Sequence, residues 1–421
     1  MTRIALLSVH TCPLAALGGK ETGGMNVYVR ELARELGRLG FAVDVFTRSQ
    51  NRAVPQVVPL GPNARVVHVE AGPPAPVPKV EVHAHLGAFA EGVEAFREAG
   101  RLRYDLLHSH YWLSGVVALA LRPGWGVPVV HMFHTLGAQK NRVARHRDDV
   151  EPPLRLAEER RIARAADRLV AANPVERAQI RWHYRADPDR IAVIPCGVDL
   201  RLFHPRDPRE ARARLGLRAE RILLYVGRLV PIKGVETLLR ALALLKADGL
   251  GATAVRVLVV GGGIEERWAQ DGEPRRLRAL ARELGVEGWV EFRGGQPQDV
   301  LPDYYAAADL CLMPSLYESF GMVALEAMAC GVPVVGSRVG GLAVTIQEGV
   351  TGALVPEGDP VALGRETGAL LRDEPRRLAL GRQAARWARR FRWPCIAKQV
   401  TELYGELLPA LPEAARHPPR C

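Results

Sequence analysis

Short apolar runs alternate with amphipathic stretches along almost the whole chain, and few architectures are compatible with that alternation. A strand that is apolar on both faces must be covered on both, which is the situation of a parallel sheet layered between helices. The first series of such runs holds Ile4 to Val9, Ala42 to Thr47, Val66 to Val69, Leu106 to His108, Val129 to Phe133, Leu169 to Ala172 and Ile191 to Pro195. A second series restarts at Ile222 to Gly227 and continues through Val255 to Val260, Val290 to Phe292, Leu310 to Met313, Val334 to Gly336 and Ala353 to Val355. Between them, from Leu202 to Leu217, prolines and charges displace apolar residues. At 421 residues the chain also exceeds what one core usually serves. Two α/β domains are therefore expected, over 1–205 and 206–390. Beyond Pro375 the pattern turns helical, with Trp387, Phe391 and Trp393 as apolar anchors, and residues 391–421 are expected to pack back on the first domain.

The net charge of +11 favours anionic ligands or surfaces. No basic stripe interleaved with aromatics accompanies it, which argues against nucleic-acid binding. Only six of the 57 basic residues are lysines, and Lys20, Lys79, Lys140 and Lys233 all lie in segments with other signals. The six cysteines show no metal-ligand spacing, and most sit in apolar segments, so reduced packing residues in a cytoplasmic protein are expected. The opening apolar stretch is too short for a signal peptide and reads as a first strand; no run is long enough to span a membrane.

The segment Pro314 to Gly331 carries two carboxylates, Glu318 and Glu326, eight residues apart around the start of an apolar run. Phe320 to Cys330 reads as a buried helix, which puts Glu318 in the preceding loop and Glu326 about two turns along. Roughly 12 Å separates positions spaced that far on a helix, enough to reach along a nucleotide sugar or to be structural. The helix start between them offers free amides and a positive dipole end to an anion. Arg228 and Lys233 lie in the loop after the strand at Ile222, where a diphosphate needs its charge neutralised. In the first half, Gly18 to Asn26 joins the first strand to a helix over Met25 to Leu39. It matches neither the dinucleotide glycine pattern nor a P-loop. The histidines of His108-Ser-His110 and His131-Met-Phe-His134 lack a third ligand at zinc spacing and read as cleft lining or core. The proline-rich stretch Gly72 to Pro78 reads as a mobile loop.

Taken together, Arg228, Lys233, Glu318, Glu326 and the Gly23-Gly24 loop resemble the retaining family 4 glycosyltransferases, whose GT-B fold sets two Rossmann-like domains across a cleft. That resemblance implies that Arg228 and Lys233 hold the donor diphosphate, Glu318 the donor sugar hydroxyls and Glu326 the ribose. Ser8 to Ala15, Gly23 to Val29, His134-Thr-Leu and Glu151-Pro-Pro-Leu-Arg155 are similar, more narrowly, to the family's D-inositol-3-phosphate glycosyltransferases of mycothiol synthesis. The narrower resemblance implies an acceptor phosphate gripped by Lys79, Tyr111, Thr135 and Arg155. It also implies inositol contacts from His10 and Asn26, an acceptor loop over Glu21, Thr22, Gly23, Gly24 and Met25, and Gly24 near the donor phosphates. His134 is expected to line the reacting centre. Lys20-Glu21-Thr22 and the proline-rich stretch before Lys79 depart from the family pattern, both beside the acceptor.

The expected activity is transfer of N-acetylglucosamine from its UDP donor to 1D-myo-inositol 3-phosphate with retention. Fructose 6-phosphate, or a lipid or glycan acceptor, is the alternative within the class; a non-transferring epimerase or donor-binding protein is the alternative outside it. No cofactor is required by this reading, although the family admits Mg2+ on backbone carbonyls matching Tyr305, Ala306 and Ala308. The expected partners are the donor and the small phosphorylated acceptor, with room for a homodimer and for peripheral membrane contact.

Overall fold

Parallel pairing organises both halves of the computed structural model, which describes residues 1–15, 23–144, 147–218, 221–249, 255–262 and 272–416. In the first half, β1 (Arg3–Leu7), β2 (Ala42–Arg48), β3 (Val57–Gly61), β4 (Ala64–Val69), β5 (Leu106–His110), β6 (Val129–Met132), β7 (Arg168–Ala171) and β8 (Ile191–Val193) form one sheet. Their order is β3-β4-β2-β1-β5-β6-β7-β8, and only β3 runs antiparallel. In the second half, β9 (Arg221–Val226), β10 (Val255–Val260), β11 (Val290–Gly294), β12 (Leu310–Met313), β13 (Val334–Ser337) and β14 (Gly352–Val355) form a wholly parallel sheet ordered β11-β10-β9-β12-β13-β14. Chain order reverses at β1/β5 in one sheet and at β9/β12 in the other. At such reversals an open parallel sheet leaves a crevice at the carboxyl ends of its strands.

Edge strand β3 was not anticipated, because Pro59 removes an amide and breaks the apolar run; only an edge tolerates it. The first helix runs Gly24–Arg38 and the helix after Glu318 runs Met322–Ala329, each close to the expected span. The proline-rich stretch differs from expectation. Buried Arg48 donates to the carbonyls of Pro73 and Ala75 at 2.7 and 2.8 Å, tethering the loop that leads to Lys79. Among the described residues, Cys12, Cys196, Cys311 and Cys330 are free thiols, and all but the half-buried Cys12 are buried, as expected for packing residues. No helix among the described residues is long and apolar enough to cross a membrane.

Helix Trp393–Gly405 lies against helix Gly24–Arg38 of the first half. Trp393 is buried and meets Tyr28 edge-on with ring centroids 5.6 Å apart. Gly197 makes that possible, since a Cβ there would come within 2.5 Å of the indole. In the last turn of the helix, the Tyr404 hydroxyl lies 2.7 Å from Nδ1 of His108, in the middle of β5. Truncating Trp393 to Ala is expected to cost about 3–5 kcal/mol, the usual range for a buried tryptophan. Chemical denaturation followed by circular dichroism checks this; a loss below about 1 kcal/mol would show that the tail helix is not integral to the first domain's core.

Candidate active site

The loops after β9 and β12 are laced together at the second sheet's crevice. The Leu316 amide donates to the Ile232 carbonyl at 2.9 Å. Gly234, at φ +69°, lies so close to Pro314 that a Cβ would sit 1.9 Å from its carbonyl oxygen. This contact brings the two charged loops into register, and Lys233 Nζ forms an ion pair with Glu318. The backbone of Glu318 is held as tightly. Its carbonyl accepts from the Gly341 amide at 2.8 Å, and a Cβ on Gly340 would come within 2.1 Å of the same oxygen. Arg228 is half-buried in the same loop as Lys233, its carbonyl receiving the Tyr225 hydroxyl at 2.9 Å.

Glu326 faces inward from helix Met322–Ala329 and accepts from the Tyr305 hydroxyl at 2.8 Å. Burial pushes its pKa up to about 7, against the lowering influence of bonds from Tyr305 and Gln298 and the charge of Arg30. It borders a cavity of about 340 Å³ that Val27, Arg30 and Arg34 of the first half line together with Gln298 and Met322 of the second. Glu326 is thus a wall of an interdomain space, not a carboxylate confined to one core.

At the first sheet's crevice the four residues predicted to grip a phosphate come together. Arg155 Nη1 donates to the Tyr111 hydroxyl at 3.0 Å, and Nη2 donates to the Thr135 carbonyl at 2.8 Å and Oγ1 at 3.0 Å. The Arg155 guanidinium carbon and Lys79 Nζ lie 4.8 and 5.9 Å from the Tyr111 ring centroid. The His10 ring adjoins that of Tyr111 at 4.4 Å, and burial, then the charges of Lys79 and Arg155, keep His10 neutral. Sequence reasoning missed the carboxylates behind this cluster. Glu159 accepts from Arg155 Nε at 2.8 Å and caps Gly137, while Glu151 contacts Arg155 Nη1 at 2.9 Å and also pairs with Lys140. The helical i, i+4 spacing of Arg155 and Glu159 was the available signal. Arg155 is therefore a fully buried structural cation as well as a candidate ligand.

Asn26 also has a structural role. Its amide donates to Thr11 Oγ1 and the Cys12 carbonyl, at 2.5 and 2.7 Å, and its Oδ1 accepts the Gly23 amide at 2.9 Å. Buried and engaged at both ends, it staples the loop after β1 to the helix start. Gly23 and Met25 are half-buried beside it; Glu21 and Thr22 lie outside the described residues. His134, two residues beyond β6, has φ +60°, and its Nε2 lies 3.0 Å from His110 Nδ1. Burial lowers its pKa to about 3, so the ring is neutral. The carbonyls suggested for Mg2+ lie away from the two crevices. Tyr305 O accepts the Ala308 amide at 3.0 Å, and Tyr305, Ala306 and Ala308 precede β12, at the opposite end of that strand from Glu318.

The two crevices face each other. Gly24, at the start of its helix, lies against Met322, at the start of the other; a Cβ on Gly24 would be 3.0 Å from Met322 Sδ. No side chain caps either helix at its N-cap, and both present their positive ends to the same gap. Bonds across the gap hold the Glu318 loop from the first half: Asn173 Nδ2 donates to the Ser319 carbonyl at 2.6 Å, and the Leu136 amide to the Tyr317 hydroxyl at 3.3 Å. Arg30 donates to Gln298 at 2.5 Å beside the cavity.

Comparison with known proteins agrees with this geometry. Residues 22–202 match the family model "Glycosyltransferase Family 4" and residues 207–387 match "Glycosyl transferases group 1". The chain is 44% identical over 409 residues to D-inositol 3-phosphate glycosyltransferase 2 of Catenulispora acidiphila, covering 96% of this chain and 94% of that protein. It is 41% identical over 412 residues to D-inositol 3-phosphate glycosyltransferase of Thermobispora bispora, covering 97% and 95%. Among solved structures, sucrose-phosphate synthase from Thermosynechococcus elongatus superposes with a TM-score of 0.89 at 37% identity, over 97% of this chain and 99% of that one. HepE of Anabaena, in complex with UDP and glucose, shares the fold at a TM-score of 0.75 and 21% identity, over 97% and 100%. The chain belongs to the family 4 glycosyltransferases and has their GT-B fold.

Proposed function

We propose that this nucleotide-sugar-dependent transferase moves N-acetylglucosamine from UDP-N-acetylglucosamine to 1D-myo-inositol 3-phosphate with retention at C1. The observation that carries the reading is the pair of facing helix starts at Gly24 and Met322, with Arg228 and Lys233 beside one and the Lys79, Tyr111, Thr135 and Arg155 cluster beyond the other. Two positive helix ends and two cations suit a diphosphate. Two cations with two hydroxyls suit a second, separate phosphate. The names of the relatives support inositol phosphate as its bearer.

In this reading the C1–O bond of the donor loosens first. The acceptor hydroxyl attacks C1 from the same face, and its proton passes to the departing diphosphate oxygen. The protein's contribution is to stabilise charge on that leaving group, through Arg228, Lys233 and the amides at Met322, and to orient the sugar through Glu318. Glu326 and its cavity receive the nucleoside. Lys233 is held by Glu318 until the diphosphate arrives and shares it.

The likeness to sucrose-phosphate synthase, at 37% identity, makes fructose 6-phosphate the competing acceptor. Donor turnover screened against inositol 1- and 3-phosphate, fructose 6-phosphate and water separates the two. Fastest UDP release with inositol 3-phosphate, yielding an α-glycoside, is expected; fastest release with fructose 6-phosphate would overturn the acceptor assignment.

Arg155→Ala is a poor test of the grip, because it strands the buried Glu159 and costs about 3–5 kcal/mol. Lys79→Ala is cleaner. It is expected to raise the acceptor KM about tenfold or more, the value of a charge-assisted hydrogen bond, and to leave the donor KM within about twofold. An unchanged acceptor KM in steady-state assays would remove Lys79 from the grip. Glu318→Gln is expected to lower kcat by about 10²-fold. Because it also releases Lys233, UDP measured by calorimetry should bind at least as tightly as to the wild type; weaker UDP binding would mean that the carboxylate supports the diphosphate and not the sugar.

A further inference from the structure

The carboxyl side of the first sheet carries a row of buried histidines, of which the proposed reaction leaves His108, His110 and His131 unused. Neighbouring strands β5 and β6 pair His110 with Met132 and Ser109 with His131, so the residue two beyond β6, His134, returns beside His110. His110 Nδ1 and His134 Nε2 are 3.0 Å apart. Two neutral imidazoles can share that contact only if one nitrogen carries a proton and the other does not. Burial lowers the pKa of both rings, which keeps them neutral.

Which ring donates follows from the other nitrogen of His110. Its Nε2 is fully buried and has no hydrogen-bond partner. A buried N–H without a partner is rarer than a buried bare acceptor. The proton of His110 therefore belongs on Nδ1, and Nε2 is the bare nitrogen. Two neighbours repeat the pattern. His108 and His131 also have Nδ1 bonded, to Tyr404 Oη at 2.7 Å and Ser109 Oγ at 2.8 Å, and Nε2 buried without a partner. If His110 Nδ1–H donates to His134 Nε2, the single proton of neutral His134 must sit on its Nδ1.

We propose that His110 is a positioning residue: by donating from Nδ1 to His134 Nε2 it locks His134 as the Nδ1–H tautomer, so that His134 meets substrate as a neutral hydrogen-bond donor. The left-handed backbone of His134, at φ +60°, is sparsely populated for a residue with a side chain and persists where surroundings over-determine it. Here the Thr135 amide donates to the Phe133 carbonyl at 2.7 Å and closes a tight turn about His134, whose ring lies edge-on to Tyr28 with centroids 5.1 Å apart and against His110. A neutral donor in that place suits a hydroxyl oxygen of the transferred hexose better than a proton abstraction. That last step rests on the proposed function and on the place at the reacting centre that the family resemblance implies for His134; the tautomer assignment does not.

Two measurements test the proposal. In ¹⁵N-histidine-labelled protein, assigned by comparison with His134→Ala, the His134 resonances should show a protonated Nδ1 and a bare Nε2; the reverse tautomer, or a protonated ring at neutral pH, would overturn it whatever the substrate. In steady-state transfer assays His110→Phe should lower kcat about tenfold or more with both KM values within about twofold, and His110→Asn, whose amide can place a donor near Nδ1, should recover most of the loss. Adding His110→Phe to His134→Ala should cost nothing further. A wild-type kcat for His110→Phe, equal damage from Phe and Asn, or additive losses in the double variant would each contradict a role exerted through His134. Absence of transfer by the wild type to inositol 3-phosphate would instead count against the acceptor assignment, with the tautomer measurement still standing.

Discussion

Parallel pairing puts the carboxyl end of every paired strand on one edge of its sheet, and the reversal of strand order decides where on that edge a crevice opens. Both sheets reverse once among their parallel strands, at β1/β5 and β9/β12, and the residues of chemical interest lie at those two places. Lys233 and Glu318 meet because β9 and β12 are neighbours; His10, Tyr111 and the start of helix Gly24–Arg38 meet because β1 and β5 are. Hydrogen bonds from Asn173 and Leu136 to the loop of Glu318 then hold one crevice against the other.

Within that frame the cations are already partnered before any ligand enters. Lys233 lies on Glu318, and Arg155 on Glu159, Glu151, Tyr111 and Thr135. Pairing keeps charges tolerable in a partly dry cleft. It also makes ligand binding an exchange of one anion for another, which favours ligands carrying more than one negative oxygen. The two clusters differ in how freely they can exchange. Glu159 is fully buried and fixed by Gly137 and Tyr184, so Arg155 cannot leave it, whereas the side chains of Lys233 and Glu318 keep 20% and 15% of their exposure. Under the proposed function the first cluster is a preformed receptor and the second one that rearranges.

Much of this was legible in the sequence. Apolar runs located every strand but β3, which Pro59 disguised, and the spacing of Glu318 and Glu326 put them before and on the correct helix. What the sequence could not express was the use made of each polar group. Asn26 reads as a cap or a ligand until Thr11, Cys12 and Gly23 are seen to occupy it. The tether from Arg48 to a proline-rich loop spans 25 residues and leaves no local pattern, and neither do the bonds between Asn173 and Ser319 or between His108 and Tyr404. Side-chain periodicity reports which face of an element is buried; it carries no record of which distant atom fills a particular hydrogen-bond site.

In the proposed function one cleft holds a diphosphate and a separate phosphate at two defined places. A crystal structure of the protein with UDP and inositol 3-phosphate tests it most directly. The diphosphate is expected between Gly24 and the start of helix Met322–Ala329, touching Arg228 and Lys233, and the inositol phosphate within hydrogen-bond reach of Lys79, Tyr111, Thr135 and Arg155. A diphosphate bound away from that pair of helix starts, or an inositol phosphate that leaves those four residues untouched, would contradict it.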